Sequence, residues 1–299
     1  MKGMLWMISI FSLVIHASTA GNITPLEFIE NGNPRTYNEV PYLATVYELK
    51  SGLCSGILIS ESWVLTTQYC LQTSVEDTSL KGLYSTKLWR VEVGRDILQI
   101  PYEEDIFEVK RFIPRYSSLI STQKLSNIVL IELVGKVNTT RVPKFASIGH
   151  TDLQVGDQLE ATGVGNPEDS DDATNFTSIS VTIQEPSACR LLHWREIELK
   201  DSPLLCGKFK AGQTVNAGDP GGPLYQRLND NQAKVYGLIT GDSSHDPNFF
   251  SFVNLEYHIN WIAHTTGISK ETLRLSSSHR FTVNYTFVFM ILLILAILY

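Results

Sequence analysis

The chain has 299 residues, 43% of them hydrophobic and 18% charged, with a formal net charge of −7. That balance fits a globular protein with a buried core and excludes a disordered one. The acidic surplus argues against nucleic acid as a partner, because phosphate binding needs a basic face; the length accommodates one large domain or two smaller ones.

The first twenty residues read as a signal peptide. Lys2 supplies the positive start, Met4 to Ile15 form a short apolar run, and Ser18-Thr19-Ala20 are the small residues of a cleavage point. Cleavage there leaves Gly21 as the mature N-terminus, with residues 21–28 as a short extension. Secretion puts the four cysteines, Cys54, Cys70, Cys189 and Cys206, in an oxidising compartment. Four cysteines allow three pairings. The short-range solution, Cys54–Cys70 with Cys189–Cys206, closes two loops of similar length, each worth roughly 3 kcal/mol on a chain-entropy estimate. A metal site is not expected, since no CxxC or HxxxH cluster occurs, and nothing calls for a cofactor. Asn22, Asn138 and Asn175 each open an acceptor sequon for N-glycosylation.

From Ile29 to Ile262 the texture is β-rich. Apolar or alternating runs recur at Tyr42–Tyr47, Gly56–Ile59, Trp63–Thr66, Ile128–Leu133, Ile179–Ile183 and Val235–Thr240, separated by turn-forming residues. This spacing predicts a sandwich or barrels, not alternating β and α units. Pro167 to Thr174 is a solvated acidic loop without the ligand spacing of a calcium site. Leu255, Ile259 and Ile262 recur at helical spacing beside Trp261 and predict one late helix. At the far end, Phe287 to Tyr299 is wholly apolar, preceded by Ser276-Ser277-Ser278 and a short mixed spacer. Small residues, spacer and apolar tail are the parts of a GPI-attachment signal, with those serines as candidate attachment points. A spanning helix needs about twenty apolar residues. The run reaches that length only by absorbing Asn284 and Thr282, so a lipid anchor is favoured over a membrane-crossing helix.

Several segments, taken in order, resemble the chymotrypsin/trypsin-like serine proteases. Cys54 to Ile59 (CSGILI) looks like the family's CGGSLI strand. Trp63 to Cys70 (WVLTTQYC) is similar to WVLTAAHC, which carries the histidine, and Asn127 to Leu133 (NIVLIEL) to DIALLKL, which carries the aspartate. Ala161 to Gly165 (ATGVG) is similar to ATGWG, Leu205-Cys206-Gly207 to LCAG, Gly218 to Leu224 (GDPGGPL) to the nucleophile loop GDSGGPL, and Trp261-Ile262 to the closing helix. Each match alone is weak; their common order, with cysteines at the family's loop positions, is a strong signal. The resemblance covers residues 29–267 and implies an all-β fold of two six-stranded antiparallel barrels with a C-terminal helix. Residues 268–286 would then be linker and anchor-attachment region.

The family's mechanism needs a serine nucleophile, an imidazole base and a buried carboxylate to orient it. The matching positions hold Pro220, Tyr69 and Asn127. Proline has no nucleophilic side-chain atom, a phenol with an ordinary pKa near 10 is a poor base at neutral pH, and a carboxamide carries no charge. Proline also lacks an N–H, which deletes one of two oxyanion-hole donors, the other being on Gly218. In other proteins one such donor is worth about 10²–10³ in rate and the triad about 10⁶. The specificity pocket is altered as well. Thr214 stands at its floor where trypsin-type enzymes hold an acid, Asn216 replaces a cysteine, and Gly241 replaces a tryptophan lining the cleft. The residue matching the family's freed N-terminus is Ile29; Phe28 before it offers no tryptic cleavage site, so Asp219 keeps the family's aspartate without its ammonium partner. The reading is a catalytically inactive homologue on the outer cell surface that binds a protein partner as a decoy, inhibitor, adhesion module or protease cofactor. The alternatives are a hydrolase with a rebuilt site and a decayed copy without a selected role. None of the seven histidines lies in a segment matching the histidine loop; His245 reads as a loop residue.

Overall fold

The protein is described from a computed structural model. The described residues are 32–49, 51–71, 86–94, 105–115, 127–140, 144–150, 153–164, 176–189, 198–215, 219–229, 232–243 and 248–275. The signal segment, Asn22, Asn175, the acidic loop and everything after Leu275 lie outside them.

Among the described residues, fourteen strands and two α-helices make up the fold. β2 (Leu43–Glu48), β3 (Ser51–Ser60), β4 (Trp63–Thr66), β5 (Trp89–Val93), β6 (Ile106–Pro114) and β7 (Val129–Leu133) close into one barrel in the order β2-β3-β4-β7-β6-β5. The second barrel is built from β9 (Gln158–Gly163), β10 (Phe176–Gln184), β11 (Leu204–Phe209), β12 (Pro223–Asn229), β13 (Gln232–Ser243) and β14 (Phe249–Asn254). Its ring runs β9-β10-β11-β14-β13-β12 and closes where β12 pairs with β9. β1 (Asn33–Arg35) adds to β10, and β8 (Ser147–Ile148) lies parallel to the start of β13. The two six-stranded antiparallel barrels agree with the expectation from the sequence.

Side chains alternate faces along a strand, and here both faces of the seam strands are buried. On β7, Val129, Ile131 and Leu133 point into the first barrel with Val46, Leu58 and Val64. The neighbours Ile128 and Leu130 join Ile57, Leu65, Leu238, Val253 and Ile259 in a separate cluster spanning both barrels. Two-sided burial is the reason these segments read as continuous apolar runs. The second barrel has its own interior of Leu159, Ile179, Val181, Leu205, Leu224, Ile239 and Phe252. The disulfides Cys54–Cys70 and Cys189–Cys206 form as expected, with Cα–Cα separations of 5.8 and 5.6 Å.

Helix α1 (Leu255–Thr266) starts where the Asn254 side chain accepts the Glu256 amide at 3.1 Å and ends at Gly267, whose φ of 73° suits a helix stop. The packed body continues past Gly267. Helix α2 (Lys270–Arg274) falls in the stretch read from the sequence as linker, yet Leu273 is buried in the inter-barrel cluster. At the other end of the chain, Arg35 on β1 donates to Glu160 on β9 at 3.1 and 3.0 Å, and the Tyr225 hydroxyl donates to the same carboxylate at 3.0 Å. Arg227 reaches Glu39 at 2.9 Å. These partly buried pairs dock the N-terminal segment on the second barrel.

His258, fully buried on α1, has Nδ1 against the Arg115 guanidinium at the end of β6. Arg115 also lies 5.2 Å from the Tyr257 ring centroid. Burial foremost, then the Arg115 charge, pushes the imidazole pKa down to about 3 against the opposing pull of the Pro203 carbonyl. An unfolded histidine protonates near pH 6.5, so below that pH the unfolded chain binds a proton that the folded one refuses. Stability from this group is complete above about pH 6.5 and falls with pH by up to about 1.4 kcal/mol per unit. Denaturant titrations at a series of pH values will show this slope between pH 6.5 and 5, where carboxylates contribute little, and His258→Phe will flatten it.

Candidate functional site

The segment Asp219–Gly222 connects the two barrels at the seam. Its amide–carbonyl bond from Gly222 to Asp219 is 2.8 Å, and Gly221 has φ +87°. Proline followed by a glycine of positive φ inside such a bond is the pattern of a type II turn. Gly221 has no alternative there: a Cβ would run into the Ser55 carbonyl and Thr66 Oγ1. The turn is tied to both sides. Pro220 O accepts the Ser55 amide of the first barrel at 2.9 Å, and Gly221 N donates to Ile239 O of the second at 2.8 Å. Thr66 Oγ1 donates to Ser55 O at 2.7 Å, and Asp219 is fully buried.

Beside the turn, the 3-10 segment Gln68–Leu71 carries Tyr69. The buried Asn127 carboxamide spans the seam. Its Oδ1 accepts the Tyr69 amide at 3.0 Å, and its Nδ2 donates to Thr240 O at 2.9 Å. The next residue, Gly241, has φ +84°, and a Cβ on it would stand 2.5 Å from Tyr69 Cδ1. The tyrosine ring thus lies on the Gly241 backbone while the side chain stays 46% exposed to solvent. Pro220 is adjacent: its carbonyl oxygen is 3.3 Å from Cys70 Sγ.

The structure therefore brings Tyr69, Asn127, Pro220, Asp219 and Gly241 to one place at the seam. Thr214 is half-buried, with its hydroxyl 3.4 Å from Val215 O. Gly218, Asn216, Ile29 and His245 lie outside the described residues. The sequence reading missed Ser55, whose amide donates to the turn, and Thr240, whose carbonyl accepts from the carboxamide. No local pattern marks them, because their partners are distant in the chain. Among the described residues no group of His, Cys, Asp or Glu side chains is arranged to hold a metal ion.

A profile of the Trypsin family matches residues 29–262. The chain belongs to the trypsin family. Similar members include brachyurin of Leptuca pugilator, 24% identical over 78% of this chain and 96% of brachyurin. Phenoloxidase-activating factor 3 of Holotrichia diomphalia is 24% identical over 77% of this chain and 70% of that protein. A snake venom serine protease homolog of Protobothrops jerdonii is 25% identical over 79% and 86% respectively. Against this trypsin-family frame, the residues at the seam are tied into hydrogen bonds and turns that suit their own chemistry. Asn127 must donate to the Thr240 carbonyl, which a carboxylate does not do. Pro220 presets the φ of its turn position.

Substitution toward the residues of the family motifs is expected to destabilise this chain. Asn127→Asp loses the bond to Thr240 and faces a carboxylate against a carbonyl, at a cost of about 1–3 kcal/mol. Pro220→Ser costs about 0.4–1 kcal/mol by loosening the unfolded chain. Urea denaturation at neutral pH measures both; unchanged midpoints would refute the bridging and turn roles.

Proposed function

We propose that this trypsin-family chain is catalytically inactive and serves on the extracellular face of the membrane as a protein-binding module, in a decoy, inhibitory, adhesive or cofactor role. The observation that carries the reading is Pro220 within the seam turn. A proline there supplies neither an attacking oxygen nor an amide hydrogen, and its carbonyl is engaged by Ser55. The residues beside it point the same way. Tyr69 has its amide tied to Asn127, and Asn127 holds no charge that could orient a base. One similar protein is itself described as a serine protease homolog. A two-barrel scaffold is suited to recognition, because loops on a fixed frame carry most binding residues.

The location rests on the sequence signals at both ends together with the chemistry of the body. Two disulfides accord with passage through an oxidising compartment. Asn138 is exposed, and Thr140 donates to its Oδ1 through both backbone (3.0 Å) and hydroxyl (2.7 Å), so this sequon lies in an accessible turn. Among the described residues no helix is long and apolar enough to cross a membrane; the anchor signal lies beyond them, at Ser276–Ser278 and the apolar tail.

Two measurements test these readings. The folded protein is expected to remain unlabelled by a serine-directed fluorophosphonate probe under conditions that label trypsin to completion. Stoichiometric labelling would establish the hydrolase alternative. Phosphatidylinositol-specific phospholipase C is expected to release the protein from intact cells, and retention after treatment would favour a membrane-crossing tail.

A further inference from the structure

The described C-terminal residues are held at a defined place. On α2, Leu273 is buried, and Ser147 Oγ of β8 donates to Arg274 O at 2.7 Å. Arg274 Nη2 holds both oxygens of Glu256 on α1 at 2.6 and 2.8 Å, and the Leu275 amide donates to Glu271 O at 3.0 Å. The last described residue, Leu275, is thereby held beside β8.

β8 is joined to the seam by one strand. It pairs in parallel with the start of β13, Ser147 opposite Lys234 and Ile148 opposite Val235. From Val235, β13 runs about six residues to Gly241, on the order of 20 Å at the rise of a strand. There it meets the Tyr69 ring. β14 returns antiparallel over the same span, from Phe250 opposite Ser243 to Asn254 opposite Gly237, and passes directly into α1. The exit pole of α2 and β8 thus lies at one end of β13, and the Tyr69–Asn127–Pro220 seam at the other.

We propose that the α2–β8 pole is the surface apposed to lipid headgroups and that the seam is presented outward, on the order of 20 Å farther from the bilayer. This rests on the anchor reading above. Attachment at Ser276–Ser278 comes within three residues of Leu275, and a residue spans at most about 3.6 Å. A tether so close to a rigid body holds its own pole nearer the membrane than the opposite end. The seam's partner then comes from solution or from a facing cell, and the lipid itself is excluded as the seam's ligand.

Energy transfer on living cells tests the orientation with the full-length chain. A donor fluorophore is placed at the pole by Lys270→Cys, or by Glu271→Cys as a second exposed position. In a separate variant it is placed by Lys208→Cys, opposite Phe249 at the seam end of β11. Octadecyl rhodamine in the outer leaflet is the acceptor. The expected result is transfer about twofold or more higher from either pole position than from Lys208→Cys, given the offset of about 20 Å. Equal transfer, or a reversed order, in protein that phospholipase C still releases would overturn the orientation while leaving the anchor intact. Transfer from none of the positions, with no protein released by the lipase, would sink the anchor and the orientation together.

Discussion

The strands at the barrel interface are buried on both faces, and the rest of the molecule is arranged around that constraint. β3, β4 and β7 send alternate side chains into the first barrel and into the cluster shared with the second barrel and α1. Neither barrel can shed its partner without exposing the shared cluster, which includes Ile57, Leu65, Ile128 and Leu130 on one side and Leu238 and Val253 on the other. Burying each such side chain is worth about 1.5–3 kcal/mol, so the joint between barrels is held far more by apolar area than by the polar contacts at its edge. That leaves the edge free to change its chemistry while the fold persists.

The edge is built coherently. At the three motif positions stand a proline, an asparagine and a tyrosine, and each is integrated into the backbone around it. The proline sits in a turn that favours it, the carboxamide joins an amide of one barrel to a carbonyl of the other, and the phenol ring rests on a glycine. Tyr69 and Gly241 are complementary in volume: the absent side chain at Gly241 is what makes room for the ring. A seam organised in this manner is a structural joint that leaves one aromatic side chain half exposed.

The two poles of β13 give the molecule a direction. Its beginning is tied to the exit of the chain through β8 and α2, and its end to the seam through Thr240 and Gly241. The Arg115–His258 contact, with His258 buried on α1, adds a second tie between that helix and the first barrel. The C-terminal helices therefore belong to the packed body and transmit any tether directly to both barrels.

The resemblance carried by short motifs was enough to expect the two barrels and the cysteine pairs, and the structure gathers Tyr69, Asn127 and Pro220, singled out from the same motifs, at one seam. Those features are written in local patterns: apolar runs bounded by turn residues, short motifs in a set order, and cysteines flanking them. β6 was not singled out, because a register shift between Val109 and Arg111 breaks its alternation, and α2 was read as linker because five residues carry too little periodicity to announce a helix. The seam partners Ser55, which donates to Pro220, and Thr240, which accepts from Asn127, and the Arg115–His258 pair were equally hidden. Hydrogen bonds between residues more than a hundred positions apart leave no spacing to detect, and only the closure of both barrels brings their partners within reach.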